Sequence, residues 1–253
     1  MTEQFTKLTD SQWAAISVFF NTSRKRKLDL REIINAILYL LRTGCQWRNL
    51  PTTFPSWRAV NYYFEQWKKD GTIESMNQAL NQLDRKAKNK RKNPSLLCID
   101  SQSVKLSPMI YEDRGIDGNK KVNGRKRQVL VDSDGRIWAA QVHAANIHDG
   151  VGGISILASI NSFGKRIKLI LGDKTYRGKF AEVVSEMGLE FEVGSKPENV
   201  KSFVVEKKRW VVERTFAWLN FFRRVAKDYE YTVLSSATWI LLANISIMIQ
   251  RIE

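Results

Sequence analysis

The spacing of apolar residues changes once along this chain, from a helical period before residue 85 to short strand-like runs after residue 95. No other feature limits the possible folds as strongly. At the break stands RKAKNKRK, residues 85–92, where six of eight side chains are basic and no apolar anchor is larger than Ala87. Such a run reads as a linker, as a strap against DNA, or as a solvated stretch of charge. It divides the 253 residues into a helical part (1–84), a basic linker (85–94) and a larger part (95–253).

Three helices are expected before the break. LTDSQWAAISVFF has Thr9 or Asp10 as a cap ahead of Trp13, Ile16, Phe19 and Phe20 at helical spacing. LREIINAILYLLRTG turns Ile33, Ile34, Ile37, Leu38 and Leu41 inward and stops at Gly44. SWRAVNYYFEQWKKDG starts at Ser56 and ends at Gly71. The last two, with Trp57, Arg58, Asn61 and Tyr62 near the start of the later helix, suggest a helix-turn-helix that enters the major groove. A plain bundle with Trp57, Val60, Phe64 and Trp67 as core has the same pattern.

After the break, SLLCIDS, RKRQVLVD and RIWAAQVHAA read as strands, the last two joined by a turn at Ser133-Asp134-Gly135. A helix in DGVGGISILASINSF, a strand in RIKLILGD, a helix in GKFAEVVSEMG and a strand in LEFEVGSK follow. Two helices, about 207–224 and about 234–251, finish the chain. Three strands, helix, strand, helix, strand, helix is the order of an RNase H-like core. The expected class is therefore α/β: a mixed sheet flanked by helices, preceded by a small all-α, helix-turn-helix-like domain.

In that arrangement the first and fourth strands are neighbours. Asp100 at the end of the first and Asp173 at the end of the fourth would converge, and Glu213 on the helix KKRWVVERTFAWLNFF could join them. Three clustered carboxylates repel unless a cation neutralises them, which points to hard divalent metal, Mg²⁺ or Mn²⁺. Two such ions would clamp the attacking and leaving oxygens of a displacement at phosphorus. Taken singly, each acid has a structural reading: Asp173 as a helix cap, Asp100 as turn chemistry, Glu213 as a solvated side chain.

Composition supplies the substrate class. Lys and Arg outnumber Asp and Glu by 41 to 26, a formal charge of +15, which favours a polyanion, either nucleic acid or an anionic membrane surface. The two cysteines, Cys45 and Cys98, lack the spacing of a zinc knuckle or a disulfide framework and fit a reducing cytoplasm. The first residues have no signal-peptide pattern. Tyr231 to Gln250 carries no charge over twenty positions, but Ser235, Ser236, Thr238, Asn244, Ser246 and Gln250 interrupt it, so a buried helix is expected and not a membrane span.

Several long segments in order resemble bacterial insertion-sequence transposases of the DDE type, in the group of insertion sequence five within the wider insertion-sequence-four superfamily. They are LTDSQW, AILYLLRTGCQWRNLP, FPSWRAVNYYFEQW, IDSQSVK, ANIHDG, LGDKTYRG and RWVVERTFAWLNFFRRVAKDYE. The resemblance implies that Asp100, Asp173 and Glu213 are the metal-binding triad, and that the N-terminal helices recognise transposon ends. It carries Arg209 onto the arginine of the group's Tyr-Arg-Glu-Lys signature, while Glu206 and Asn220 stand where the tyrosine and lysine would be. That departure puts the hairpin route of some relatives in doubt.

His148 and Asp149 match a family motif and are expected to line the site, with a cap at Asp149 as the structural reading; His143 is read as structural. Trp57, Arg58, Arg177, Arg209 and Arg214 are expected to contact DNA. So are Lys120, Lys121, Arg125, Lys126 and Arg127, read as lying on a loop. The implied partners are double-stranded DNA, as terminal inverted repeats and target, and a second copy of the chain on DNA. The implied location is the bacterial cytoplasm, at the nucleoid. Two alternatives stand beside this: a transposase-derived DNA-binding protein without catalysis, and an RNase H-like nuclease that never joins.

Overall fold

The computed structural model describes residues 5–20, 27–194 and 210–252. Helix α1 spans Asp10–Ser17 and begins in a capping box, with Gln12 N donating to Thr9 Oγ1 at 3.2 Å and Thr9 N to Gln12 Oε1 at 3.1 Å. Helix α2, Leu30–Thr43, is capped by Asp29 and stops at Gly44, whose φ of 67° is the left-handed turn that glycine adopts without strain. Helix α3 spans Trp57–Lys69, and Ser56 precedes it without a side-chain cap bond.

Helix α4, Thr72–Ala87, was not anticipated, although Ile73, Met76 and Leu80 repeat at helical spacing on its buried side. It runs into the basic segment. Arg85 is buried there and pairs with buried Asp132 at 2.6 Å, while Lys90 reaches Asp134 at 2.6 Å. These two cations are therefore held by the protein's own acids.

The sheet contains β1 (Leu96–Lys105), β2 (Gly115–Asp117), β3 (Val122–Val131), β4 (Ile137–Ala144), β5 (Leu169–Gly172) and β6 (Glu190–Val193). Strands β1, β3 and β4 form an antiparallel meander, and β5 and β6 run parallel to β1 on its other side. The spatial order is β4, β3, β1, β5, β6, with short β2 pairing at the start of β3 beyond the reach of β4. The parallel connections cross through α5 (Asp149–Ile156) and α6 (Lys179–Glu186), as parallel neighbours require. The RNase H-like order is present, with β2 added at the edge.

Alternation along the strands gives the sheet two apolar faces. Cys98, Val129, Val131 and Leu171 join one cluster with α7 (Trp210–Leu219) and α9 (Val233–Ile249); Leu97, Ile99, Leu130 and Ile170 join another with α5 and α6. Of the helix expected at 207–224, the described part breaks at Asn220–Phe222 and resumes as a short α8, Arg223–Ala226. The N-terminal helices share the first cluster: Phe64 of α3 stacks on Trp239 of α9, rings 4.8 Å apart. Among the described residues no helix is long and apolar enough to cross a membrane.

Candidate active site

Strand β1 does not end at Asp100 but continues to Lys105 along β3. Its pairing with β5, however, ends at Cys98 opposite Leu171, so Asp100 and Asp173 each stand two residues beyond the last registered pair. The two-residue period puts Asp100 in line with Cys98, and Asp173 in line with Leu171, on the face covered by α7. Asp173 also caps the turn Lys174–Tyr176, accepting from Thr175 N at 2.8 Å and from the Thr175 hydroxyl. The capping role and the position at the sheet edge coexist.

Glu213 lies in the first turn of α7, exposed, while Val211, Val212 and Phe216 on the same helix are buried. Among the described residues no group of three or more His, Cys, Asp or Glu is assembled closely enough to hold a metal ion. The acids that act together on one buried atom are Asp100, Asp149 and Asp173, around the phenol of Tyr176. Burial first, and then these three negative charges, push that phenol well above its ordinary range.

Tyr176 is 1% exposed and donates to Gln128 Oε1 at 2.6 Å. Gln128 Nε2 lies 3.2 Å from His143 Nε2 and 3.3 Å from the Asp149 carbonyl oxygen. His143 Nδ1 sits 2.9 Å from the Ala144 carbonyl, so the proton belongs on Nδ1 and Nε2 accepts from Gln128. Burial lowers the pKa of His143, and the neutral ring is the form this bonding needs. Both ring nitrogens of His143 thus have protein partners.

Asp149 accepts from Ser101 Oγ at 2.8 Å and pairs with Lys126 Nζ at 3.0 Å. His148, not Asp149, caps α5, its Nδ1 accepting from Gly150 N at 3.2 Å. The glycines of this helix are required by close approach: a Cβ on Gly152 would come within 2.2 Å of His143 Nε2, and one on Gly150 within 2.7 Å of the Thr175 carbonyl. Gln128, Ser101 and Tyr176 were missed in the sequence. The available signal was a glutamine inside the apolar run of β3 and a tyrosine three residues after Asp173.

The expected phosphate contacts divide sharply. Arg125, Lys126 and Arg127 are on β3, not on a loop, and all are buried. Arg125 donates to the carbonyls of Glu112, Glu230 and Tyr231 and to Asp228, which commits its guanidinium to the interior. Arg127 Nε and Nη1 are buried without a hydrogen-bond partner, and burial lowers its pKa to about 10. Arg58, Lys120, Lys121, Arg177 and Asn220 are exposed. Trp57 is half-buried, with the guanidinium groups of Arg48 and Arg58 5.7 and 5.0 Å from its ring centre. Arg214 is held between Trp210 and Trp218 and donates to the Asp134 carbonyl at 2.9 Å. Glu206 and Arg209 lie outside the described residues.

Residues 91–249 match the family model described as "Transposase DDE domain", and the chain belongs to that family of DDE transposases. Residues 8–77 match a second model, "Putative transposase of IS4/5 family". The chain is similar to the "Putative transposase for insertion sequence element IS402" of Burkholderia cepacia, 28% identical over 115 residues, covering 42% of this chain and 54% of the relative. It is also similar to the "Uncharacterized protein y4sN" of Sinorhizobium fredii, 33% identical over 73 residues, covering 27% of this chain and 58% of the relative. The chain thus spans just over half the length of these relatives. Among solved structures, the catalytic core domain of BIV integrase is 13% identical with a TM-score of 0.38, covering 58% of this chain and 82% of that one. The pre-cleavage Mos1 transpososome is 11% identical with a TM-score of 0.28, covering 92% and 80%.

Proposed function

We propose that this chain cuts DNA at the ends of an insertion sequence and joins the freed 3′-hydroxyl ends to target DNA, with Asp100, Asp173 and Glu213 as its catalytic carboxylates. The observation that carries this reading is the shared register position of Asp100 and Asp173 at the edge of adjacent parallel strands, on the face that α7 covers. Neighbouring strands lie about 4.8 Å apart, so two carboxylates there repel unless a cation lies between them.

The donor set fits a hard divalent ion, since every candidate ligand is a carboxylate oxygen. Asp100 and Asp173 would hold Mg²⁺ or Mn²⁺, with Glu213 from α7 completing a two-ion site. Bound there, the ions would supply charge neutralisation at the phosphate and an acidified water. The protein's own part is orientation. Lys120, Lys121 and Arg177 are exposed cations available to phosphates, and Trp57 and Arg58 open α3 on the helical part, 1–84, that would read the terminal inverted repeats. Two ends must be cut together, so a homodimer on double-stranded DNA, in the bacterial cytoplasm at the nucleoid, is the working form.

The test is a strand-transfer assay with precut end DNA and a target plasmid in Mg²⁺. Joined product supports the proposal. Cutting of uncut ends without any joining favours a nuclease, and end binding with neither step favours a transposase-derived DNA-binding protein.

A further inference from the structure

Both aspartates are followed closely by a residue that enters the same buried polar network. Ser101, next to Asp100, donates to Asp149 at 2.8 Å. Tyr176 closes the turn that Asp173 caps, its N–H donating to the Asp173 carbonyl at 3.2 Å, and its phenol donates to Gln128 at 2.6 Å. Gln128 stands opposite Ser101 in the β1–β3 register, and its amide nitrogen reaches the Asp149 carbonyl and His143. Asp149 is held in turn by Lys126, whose ammonium also donates to the Ile147 carbonyl at 2.9 Å. The network therefore ties the backbone beside Asp100 to the backbone beside Asp173 through β3 and α5.

We infer that Tyr176 and Gln128 are positioning residues that set the separation of Asp100 and Asp173, and with it the affinity of the site for a divalent cation; this rests on the proposed carboxylate site. The phenol is deeply buried against Phe180, ring centres 5.1 Å apart, and its hydroxyl is held by Gln128. The register leaves little slack, because Gly152 and Gly150 press α5 directly onto His143 and the Thr175 carbonyl. Removing only the hydroxyl frees the Asp173 turn to shift relative to β1 while the ring still fills its space. Neither residue touches the reacting phosphate; each acts through the aspartate beside it.

Partners behind metal ligands typically contribute about 10- to 100-fold in metal affinity or activity. The test uses the full chain and measures Mn²⁺ binding by calorimetry without DNA, beside end-DNA affinity and thermal midpoint. Tyr176→Phe should weaken Mn²⁺ binding by about 10-fold or more and leave end-DNA affinity within about twofold. Phe180→Leu, which loosens the same core without removing a hydrogen bond, should lower the thermal midpoint and leave Mn²⁺ affinity near wild type. Equal Mn²⁺ affinity in Tyr176→Phe and wild type overturns the positioning role, as does equal weakening in both variants. Absence of Mn²⁺ binding in the wild type, and in its Asp100→Asn variant alike, overturns instead the carboxylate site on which the inference stands.

Discussion

Ser101 hands its hydroxyl hydrogen to Asp149 across the gap between β1 and α5, at 2.8 Å, one residue away from Asp100. Asp149 is also the carboxylate partner of Lys126, whose side chain is 9% exposed. Asp149→Ala takes the acceptor from the Ser101 hydroxyl and the nearer carboxylate from a mostly buried ammonium, which keeps the Ile147 carbonyl at 2.9 Å and Asp117 at 4.0 Å. The cost expected is about 1–3 kcal/mol, with Asp149→Asn milder because the amide oxygen still accepts. Urea unfolding of the two variants measures it, and equal midpoints would remove Asp149 from the framework of the site.

Arg125 and Lys121 belong to one basic stretch but should behave in opposite ways. Arg125 is fully buried with acceptors around its guanidinium, so Arg125→Ala removes the ion-pair partner of buried Asp228, which keeps the Ser236 hydroxyl and the Glu230 N–H, and should cost about 3–5 kcal/mol. Lys121 is exposed, and Lys121→Ala should change stability by less than about 0.5 kcal/mol while lowering the salt dependence of DNA binding by about one unit of slope. Unfolding curves and affinities across a salt series separate the two. A stable Arg125→Ala protein that binds DNA poorly would contradict the interior placement.

A buried charge cluster should set the acid limit of the fold. Burial works against the charge of Asp134, yet Lys90 and Arg136 more than offset it and hold this carboxyl at about 2. Asp84 is also lowered, against its own burial, by Arg136, Arg251 and Lys88. A carboxylate depressed in the folded state stabilises above its unfolded pKa, and that stabilisation is lost as the pH falls through the folded value. Asp134→Asn should therefore be less stable than wild type at about pH 6, with the difference closing towards about pH 2. A difference that does not change with pH would contradict the ion-pair account.

Asn244 joins three elements through one side chain. Its Oδ1 accepts from Ile137 N at 3.0 Å on β4, and its Nδ2 donates to Asn77 at 2.6 Å and Asn81 at 2.9 Å on α4. Asn244→Leu should cost about 1–3 kcal/mol by leaving Ile137 N and two amide oxygens without partners in the interior. Chemical denaturation reads this directly, and a neutral or stabilising effect would mean that the cluster relaxes at no cost.

Asn244 also marks what could be read from the chain alone. Its polarity within the uncharged stretch 231–250 argued for a buried helix, and α9 lies among α4, β4 and α3. Strand order was legible because apolar runs and turns are local signals, and it correctly made the strands of Asp100 and Asp173 neighbours. Helix α4 went unread because its basic end resembles a linker, whereas Arg85 is buried by an acid 47 residues away. The same limit hid Arg125: its acceptors come from Glu112, Glu230 and Tyr231, far off in sequence, so a run of cations looked like surface. Strand β2 has three residues and no period to detect.

Asp100 is the first of the three proposed catalytic carboxylates. Labelled DNA carrying the element's terminal repeat, incubated with Mg²⁺ and either wild type or Asp100→Asn, tests that role most directly when binding and cleavage are read on the same samples. The account predicts that Asp100→Asn retains end binding and loses cleavage; cleavage at the wild-type rate by Asp100→Asn would contradict it.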